Sequence, residues 1–384
     1  MKAMILAAGK GTRLHPITMN TPKPLIPLVD RPVIDLLLEN FSSQGIREFA
    51  INLGHLGEEI QQNCQSGSAY GADILYSWEG QMTKDGFQPE PVGSAASIKK
   101  IQEDYQFFDG TFVVVCGDAY IDIDIWDAVR FHHSKGSMAT VITRDVPIEE
   151  VEKYGVVLSD EEGRIISFQE KPSQKEALST QINTGIYIFE PEVIDLIPAG
   201  EHYDIGADLF PALVKHDMPF YSIQQEFNWL DIGNFKDIFA TTGALLRGEI
   251  NGFNIPGKKA SPKIYLSAGA QIDSQRVLHT GINYLGSASV VEEGASLLGE
   301  NVVGRNCVIR DGALLENCVV MGNNLEFLAG CELRNCIVTN DFVISSSGSY
   351  LGLWESRHIR DVRYTPGTSF LPQGDQLDNR IVAI

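Results

Sequence analysis

Residues 6–25 read LAAGKGTRLHPITMNTPKPL. The apolar run at 4–8 has the composition of a buried parallel strand. It passes directly into Gly9 and Gly11, then Arg13, then prolines 16, 22 and 24 with Lys23 among them. Glycines at a strand's end let backbone N–H groups approach phosphate oxygens, because no Cβ intervenes. Arg13 adds a planar, bidentate cation and Lys23 a point charge. Leu14 stands where a dinucleotide fingerprint requires its third glycine, and the stretch is not a P-loop. Taken alone it reads equally well as a plain strand-to-helix turn.

Around it, strand and helix signals alternate over the first ~245 residues. Strand-like runs fall at 49–53, 73–78, 111–116 and 139–143. Between them, helical stretches are expected from Pro32, where Ile34, Leu37, Leu38 and Phe41 form an i, i+3, i+4, i+7 stripe, at 57–64, at 94–105 and after Asp124. This order predicts an α/β fold with a doubly wound, mostly parallel sheet. Such sheets bind ligands at the carboxyl ends of their strands, where both the glycine loop and CGD at 116–118 fall.

Residues 248–262 are rich in glycine, proline and polar side chains and read as a linker. GFNIPGKK within them imitates a P-loop, but Lys259 occupies the place of the metal-binding Ser or Thr and no strand leads in. Beyond 262 the period becomes six. Written in sixes from Ala295, the third position holds Leu297, Val303, Ile309, Leu315, Met321, Phe327 and Leu333. The first holds Ala295, Asn301, Cys307, Ala313, Val319, Leu325 and Cys331. Two inward positions per six residues predict a parallel β-helix, whose coils bury a core only by stacking. The expected organisation is a catalytic domain at 1–247, a linker at 248–262, the β-helix at 263–350 and an aperiodic tail at 351–384.

The net charge of −20 opposes nucleic acid and anionic membrane as partners. No apolar run reaches the ~20 residues of a membrane span and no signal peptide precedes the first strand, so a cytoplasmic protein is expected. The six cysteines lack any metal-site spacing, and four fall in the hexapeptide register, so they read as small buried hydrophobes.

Several further residues carry possible chemistry. Asp118 ends the strand TFVVVCGD, where an unpaired carboxylate is costly to bury. It could instead cap the next helix, a task Asp122 or Asp124 could also perform. Asp231 in NWLDIG also falls at a strand end, and two such aspartates could share one Mg²⁺ that keeps waters and a substrate phosphate. Glu170 and Lys171 in FQEKP, with Asn183 in INTGIYIF, offer an acceptor, a cation and an amide, which suits a sugar phosphate. As a pair, Glu170–Lys171 also reads as a solvated surface contact. His132 and His133 read as a solvated helix face.

The glycine loop, CGD, FQEKP, NTGIY and WLDIG, in this order, resemble the sugar-1-phosphate nucleotidyltransferases. The resemblance is greatest to mannose-1-phosphate guanylyltransferases and cyanobacterial-type glucose-1-phosphate uridylyltransferases. It implies a nucleotide-diphospho-sugar transferase fold followed by a left-handed β-helix of hexapeptide repeats. It implies that Ala8, Gly9, Gly11, Thr12, Glu90 and Gly93 bind the nucleotide, and that Arg13 and Lys23 act on its phosphates. Glu170, Lys171 and Asn183 would bind the sugar phosphate, and Asp118 and Asp231 would hold Mg²⁺. The implied partners are a nucleoside triphosphate and a hexose 1-phosphate, and the β-helix implies a homo-oligomer.

VGSAAS at 92–97 departs from the family's G-T-A-G pattern, with Ala96 at the second glycine. Glu90 could accept from the two donors of guanine or the single N–H of uracil. The reading leans to GTP with mannose 1-phosphate, with UTP and glucose 1-phosphate as the alternative. A hexapeptide acyltransferase would need a histidine between coils, and this part of the chain offers only His279, at the start of the repeat, and His358, beyond it. A non-catalytic scaffold subunit is opposed by the intact Arg13, Lys23, Asp118 and Asp231 set.

Overall fold

The computed structural model describes residues 1–84 and 86–363, so the tail beyond 363 lies outside the described residues. Contacts divide the chain into two compact units. The first comprises 1–11, 21–25 and 33–231 of the described residues; the second comprises 12–20, 26–32 and the described residues from 232 onward.

In the first unit, the opening strand Lys2–Leu6 lies between the parallel strands Glu48–Leu53 and Phe112–Cys116. The register sets Leu6 opposite both Asn52 and Cys116, so these three strands end at one level. Asp73–Trp78 continues the parallel half, with Asn52 opposite Ser77. The other half is antiparallel where Gln181–Phe189 joins Phe112–Cys116 and Ala139–Asp145. Helices Val33–Ser43, Gly57–Cys64, Ser94–Tyr105 and Ile125–Ser134 form where the sequence predicts them. The apolar stripe of the first of these is buried, with Ile34, Leu37, Leu38 and Phe41 fully enclosed. A core including Met4, Phe112, Phe189, Phe210 and Phe220 forms around the sheet.

The helix after Asp124 takes that residue as its N-cap, its side chain accepting from Trp126 N. Asp122 instead holds Asn228 N at 2.7 Å. Asp118 is thus released from capping. The paired histidines correct the expectation of a solvated face. His133 is exposed, but His132 is fully buried, bonded to Thr140 at 2.8 Å and to Glu190 at 3.1 Å. Burial lowers its pKa, opposed by the Glu190 carboxylate.

The second unit is a stack of short parallel strands in three sheets. The hexads point as the period requires: Leu297, Val303, Ile309, Leu315 and Phe327 are buried at the third position. The first positions Ala295, Asn301, Cys307, Ala313, Leu325 and Cys331 are buried as well, whereas Val319 aligns with the second-position Val302. One expectation fails by a single residue. Asn301 and Asn283 bond at a separation of 18 residues, whereas Cys318 N meets Asn301 Oδ1 at a separation of 17. One coil is therefore a residue short, so Cys318 and Val320 point inward and Met321 moves outward. Asn306, Asn317, Asn324 and Asn335 turn the coil corners at φ of 50–60°, where asparagine tolerates the left-handed region better than other residues.

Within the expected linker, Lys258–Ser261 forms a strand antiparallel to Ile264–Leu266. The helix Phe235–Arg247 belongs to this unit, as do residues 12–20 of the opening stretch and residues 26–32 just after it. Asp30 accepts from Tyr284 at 2.8 Å and from Arg305 at 2.9 Å, and Asn20 donates to Asp341 at 3.0 Å. All six cysteines are free, and no described helix is long and apolar enough to cross a membrane.

Candidate active site

The level strand ends of the first unit assemble the site. Because Leu6 and Cys116 are paired, the chain leaving the opening strand and CGD emerge side by side, and Gly117 N donates to Leu6 O at 2.9 Å. Gly117 is close enough to Leu6 O that a Cβ there would lie 3.0 Å from it. The short strand Ala119–Ile121 then pairs antiparallel with Trp229–Asp231, setting Asp231 opposite Ala119 and so beside Asp118.

Lys23 enters between the two carboxylates. Its Nζ lies 2.6 Å from Asp118 Oδ2 and 3.4 Å from Asp231 Oδ1. Lys23 is 8% exposed, so its ammonium is held where few waters can screen it. Three residues 95 and 208 positions apart in sequence thus form one cluster. Among the described residues no group of three or more His, Cys, Asp or Glu is arranged as a metal site. A pair of carboxylates nonetheless fits Mg²⁺, which retains waters and completes its octahedron with phosphate oxygens. Burial pushes the neighbouring Cys116 thiol upward, with Asp118 adding to the effect, so it stays protonated near neutral pH.

The glycines of the loop differ in their reasons. Gly11 has φ +61°, a conformation that a side chain disfavours. Gly9 has no such requirement, and a Cβ built on it meets nothing within 4 Å, leaving an open cradle at the strand's end. Ala8 is closely backed by Gly54, whose Cβ would lie 2.8 Å from Ala8 O. Thr12 and Arg13 form a 3₁₀ turn with Leu14, both exposed, in the second unit.

The stretch before the helix Ser94–Tyr105 is backed by Tyr203. Ala95 N and Ala96 N both donate to Tyr203 O at 3.0 Å, and Tyr203 N donates to Val92 O at 3.0 Å. Gly93 has φ +95°, and a Cβ there would lie 2.5 Å from Tyr203 O. Gly93→Ala is expected to cost about 2–3 kcal/mol through backbone strain and overlap, read as a lowered urea midpoint. Ala96 is 8% exposed, so its methyl is largely enclosed by the protein. Glu90 is exposed and its Oε2 accepts from Gln81 Nε2 at 3.0 Å, on a hairpin of Gly80–Thr83 and Gly86–Pro89.

Glu170 and Lys171 are both exposed and paired at 2.7 Å. Asn183 donates to Tyr187 Oη at 2.9 Å and accepts from Gly185 N at 2.8 Å, which fixes its amide orientation. Burial raises the Tyr187 pKa, keeping the phenol neutral. Gly185 has φ +75°, and a Cβ there would strike Cys116 Sγ at 2.8 Å, so NTGIY and CGD pack closely.

Not foreseen from the sequence are Asn52, Glu79 and Ser97, a buried polar cluster behind the loops. Asparagine inside the apolar run FAINL was the visible signal for the first.

The nucleotidyl transferase family matches residues 2–248. The chain belongs to that family. It is 47% identical to a UTP–glucose-1-phosphate uridylyltransferase of Synechocystis sp. over 78% of this chain and 77% of that one. It is 32% identical to the catalytic subunit beta of mannose-1-phosphate guanylyltransferase of Drosophila pseudoobscura pseudoobscura, over 70% of this chain and 67% of that one. A UDP-glucose pyrophosphorylase solved with UDP-glucose shares the fold, at a TM-score of 0.54 and 23% identity over 64% of this chain and 98% of that chain.

Proposed function

We propose that the protein joins UTP and glucose 1-phosphate to give UDP-glucose and pyrophosphate. The observation that carries this substrate pair is the 47% identity with the Synechocystis uridylyltransferase, against 32% with the guanylyltransferase. This reverses the preference for GTP and mannose 1-phosphate drawn from motifs alone.

In the proposed reaction, a glucose 1-phosphate oxygen attacks the α-phosphorus of UTP in line as the bond to the β-phosphate oxygen breaks. The attacking phosphate is already anionic near neutral pH, so no general base is needed. The work of the chain is positioning and charge neutralisation. Ala8, Gly9, Gly11 and Thr12 would line the triphosphate with backbone N–H groups, and Arg13 would hold its outer phosphates. Lys23 would neutralise charge near the α-phosphate, while Lys171 and Asn183, with Glu170, would hold the sugar phosphate. Asp118 and Asp231 would hold Mg²⁺, which supplies Lewis-acid stabilisation of the charge developing on the phosphoryl oxygens.

The test is a grid of four nucleoside triphosphates against several hexose 1-phosphates, read by pyrophosphate release. UTP with glucose 1-phosphate is expected to give the highest kcat/KM. A higher value for GTP with mannose 1-phosphate would overturn the substrate assignment while leaving the reaction class.

A further inference from the structure

Glu79 follows the strand Asp73–Trp78 and is 3% exposed, yet none of its bonding partners among the described residues carries a positive charge. Its Oε1 accepts from Asn52 Nδ2 at 2.6 Å and from the Ser97 hydroxyl, and its Oε2 accepts from Val92 N at 3.4 Å. Its own backbone is engaged as well: N donates to Leu53 O at 2.7 Å, and O accepts from Glu90 N at 3.0 Å. Asn52, with its Nδ2 on Glu79, uses its Oδ1 to accept from Ala7 N at 2.7 Å, the first amide beyond the opening strand.

A buried carboxylate without a cation is a costly choice where an apolar side chain would pack. The geometry nevertheless demands acceptors alone. Three donors converge on two oxygens, and an amide in place of the carboxylate would turn an NH₂ toward one of them. The three donors also belong to different walls of the proposed nucleotide pocket. Val92 N and Glu90 N lie in the stretch beside the base, and Ser97 lies in the first turn of the helix behind it. Through Asn52, Ala7 N belongs to the entry of the glycine loop.

We infer that Glu79 is the positioning residue that sets the spacing between the glycine loop and the Glu90–Gly93 stretch. The side chain acts through the backbone it holds and touches no reacting atom. This assignment rests on the nucleotide-binding reading of those two stretches. Glucose 1-phosphate would be held by Glu170, Lys171 and Asn183, none of which bonds to this cluster, so its binding should not feel the change.

The experiment compares Glu79→Gln and Ser97→Ala with the wild type by steady-state kinetics and by equilibrium dialysis of UTP and of GTP with MgCl₂. Hydrogen bonds to a charged group are among the stronger ones, so Glu79→Gln is expected to raise the KM and Kd for the nucleotide about 10- to 100-fold. The KM for the sugar phosphate should stay within about threefold. Ser97→Ala removes one donor with little change of volume and should shift nucleotide affinity in the same direction by a few-fold. It carries the test if Glu79→Gln does not fold. A lowered Tm with unchanged nucleotide Kd, or an equal loss for both substrates, would overturn the inference alone. Wild-type protein that binds neither nucleotide would overturn the functional reading together with it.

Discussion

Asp118→Asn is expected to lower the rate of pyrophosphate release about 10³-fold, near 4 kcal/mol of transition-state stabilisation, with the circular dichroism spectrum unchanged. The substitution keeps the volume and removes one negative charge at the end of Phe112–Cys116. The fold should tolerate it, because Asp118 caps no helix and its side chain is 37% exposed. The chemistry should not if this pair holds Mg²⁺ as proposed, because Asp231 would then be its single remaining carboxylate. Raising MgCl₂ should recover part of the loss. Turnover within tenfold of the wild type would remove Asp118 from the metal role and leave it as a partner of Lys23 alone.

Lys23→Met separates the two tasks of that cation. Without the ammonium, Asp118 and Asp231 face each other with no opposite charge between them, a repulsion that both partly exposed groups relieve into water. A stability loss of about 1–2 kcal/mol is expected, discounted for their 37% and 19% side-chain exposure. The rate of the chemical step should fall about 10²- to 10³-fold, as for loss of one preorganised charge. Magnesium should now stabilise the variant more than it stabilises the wild type, because binding to the native state alone raises Tm. The measurement is the Tm of each protein with and without MgCl₂ in the absence of nucleotide. An equal shift in both proteins would argue against ion binding by this carboxylate pair.

Local pattern carried much of the architecture. The helices at 57–64 and 94–105 and the strand at 73–78 have the bounds their periodicity predicts, since amphipathic spacing is decided over a few residues. The hexapeptide register was equally legible while neighbouring coils repeated at 18 residues. It failed at Met321, because a coil one residue short is visible only once Cys318 is seen stacked on Asn301. His132 failed for a related reason. A polar residue beside a second histidine looks solvated until Thr140 and Glu190, from other strands and turns, close over it.

The opening stretch divides in the same way. Its residues alone determine a strand, a glycine turn with Gly11 in the left-handed region and a supply of cations, because φ preference and charge are properties of single side chains. The motifs taken in order also determine the family, since their chemistry and sequence order survive without coordinates. Only the tertiary structure sets Lys23 between Asp118 and Asp231, through the pairing of Ala119–Ile121 with Trp229–Asp231. Only it brings Asn52, Ser97 and Val92 onto the buried carboxylate of Glu79. A group's partners depend on the register between strands far apart in sequence, and that register is fixed by packing of the whole sheet rather than by any stretch within it.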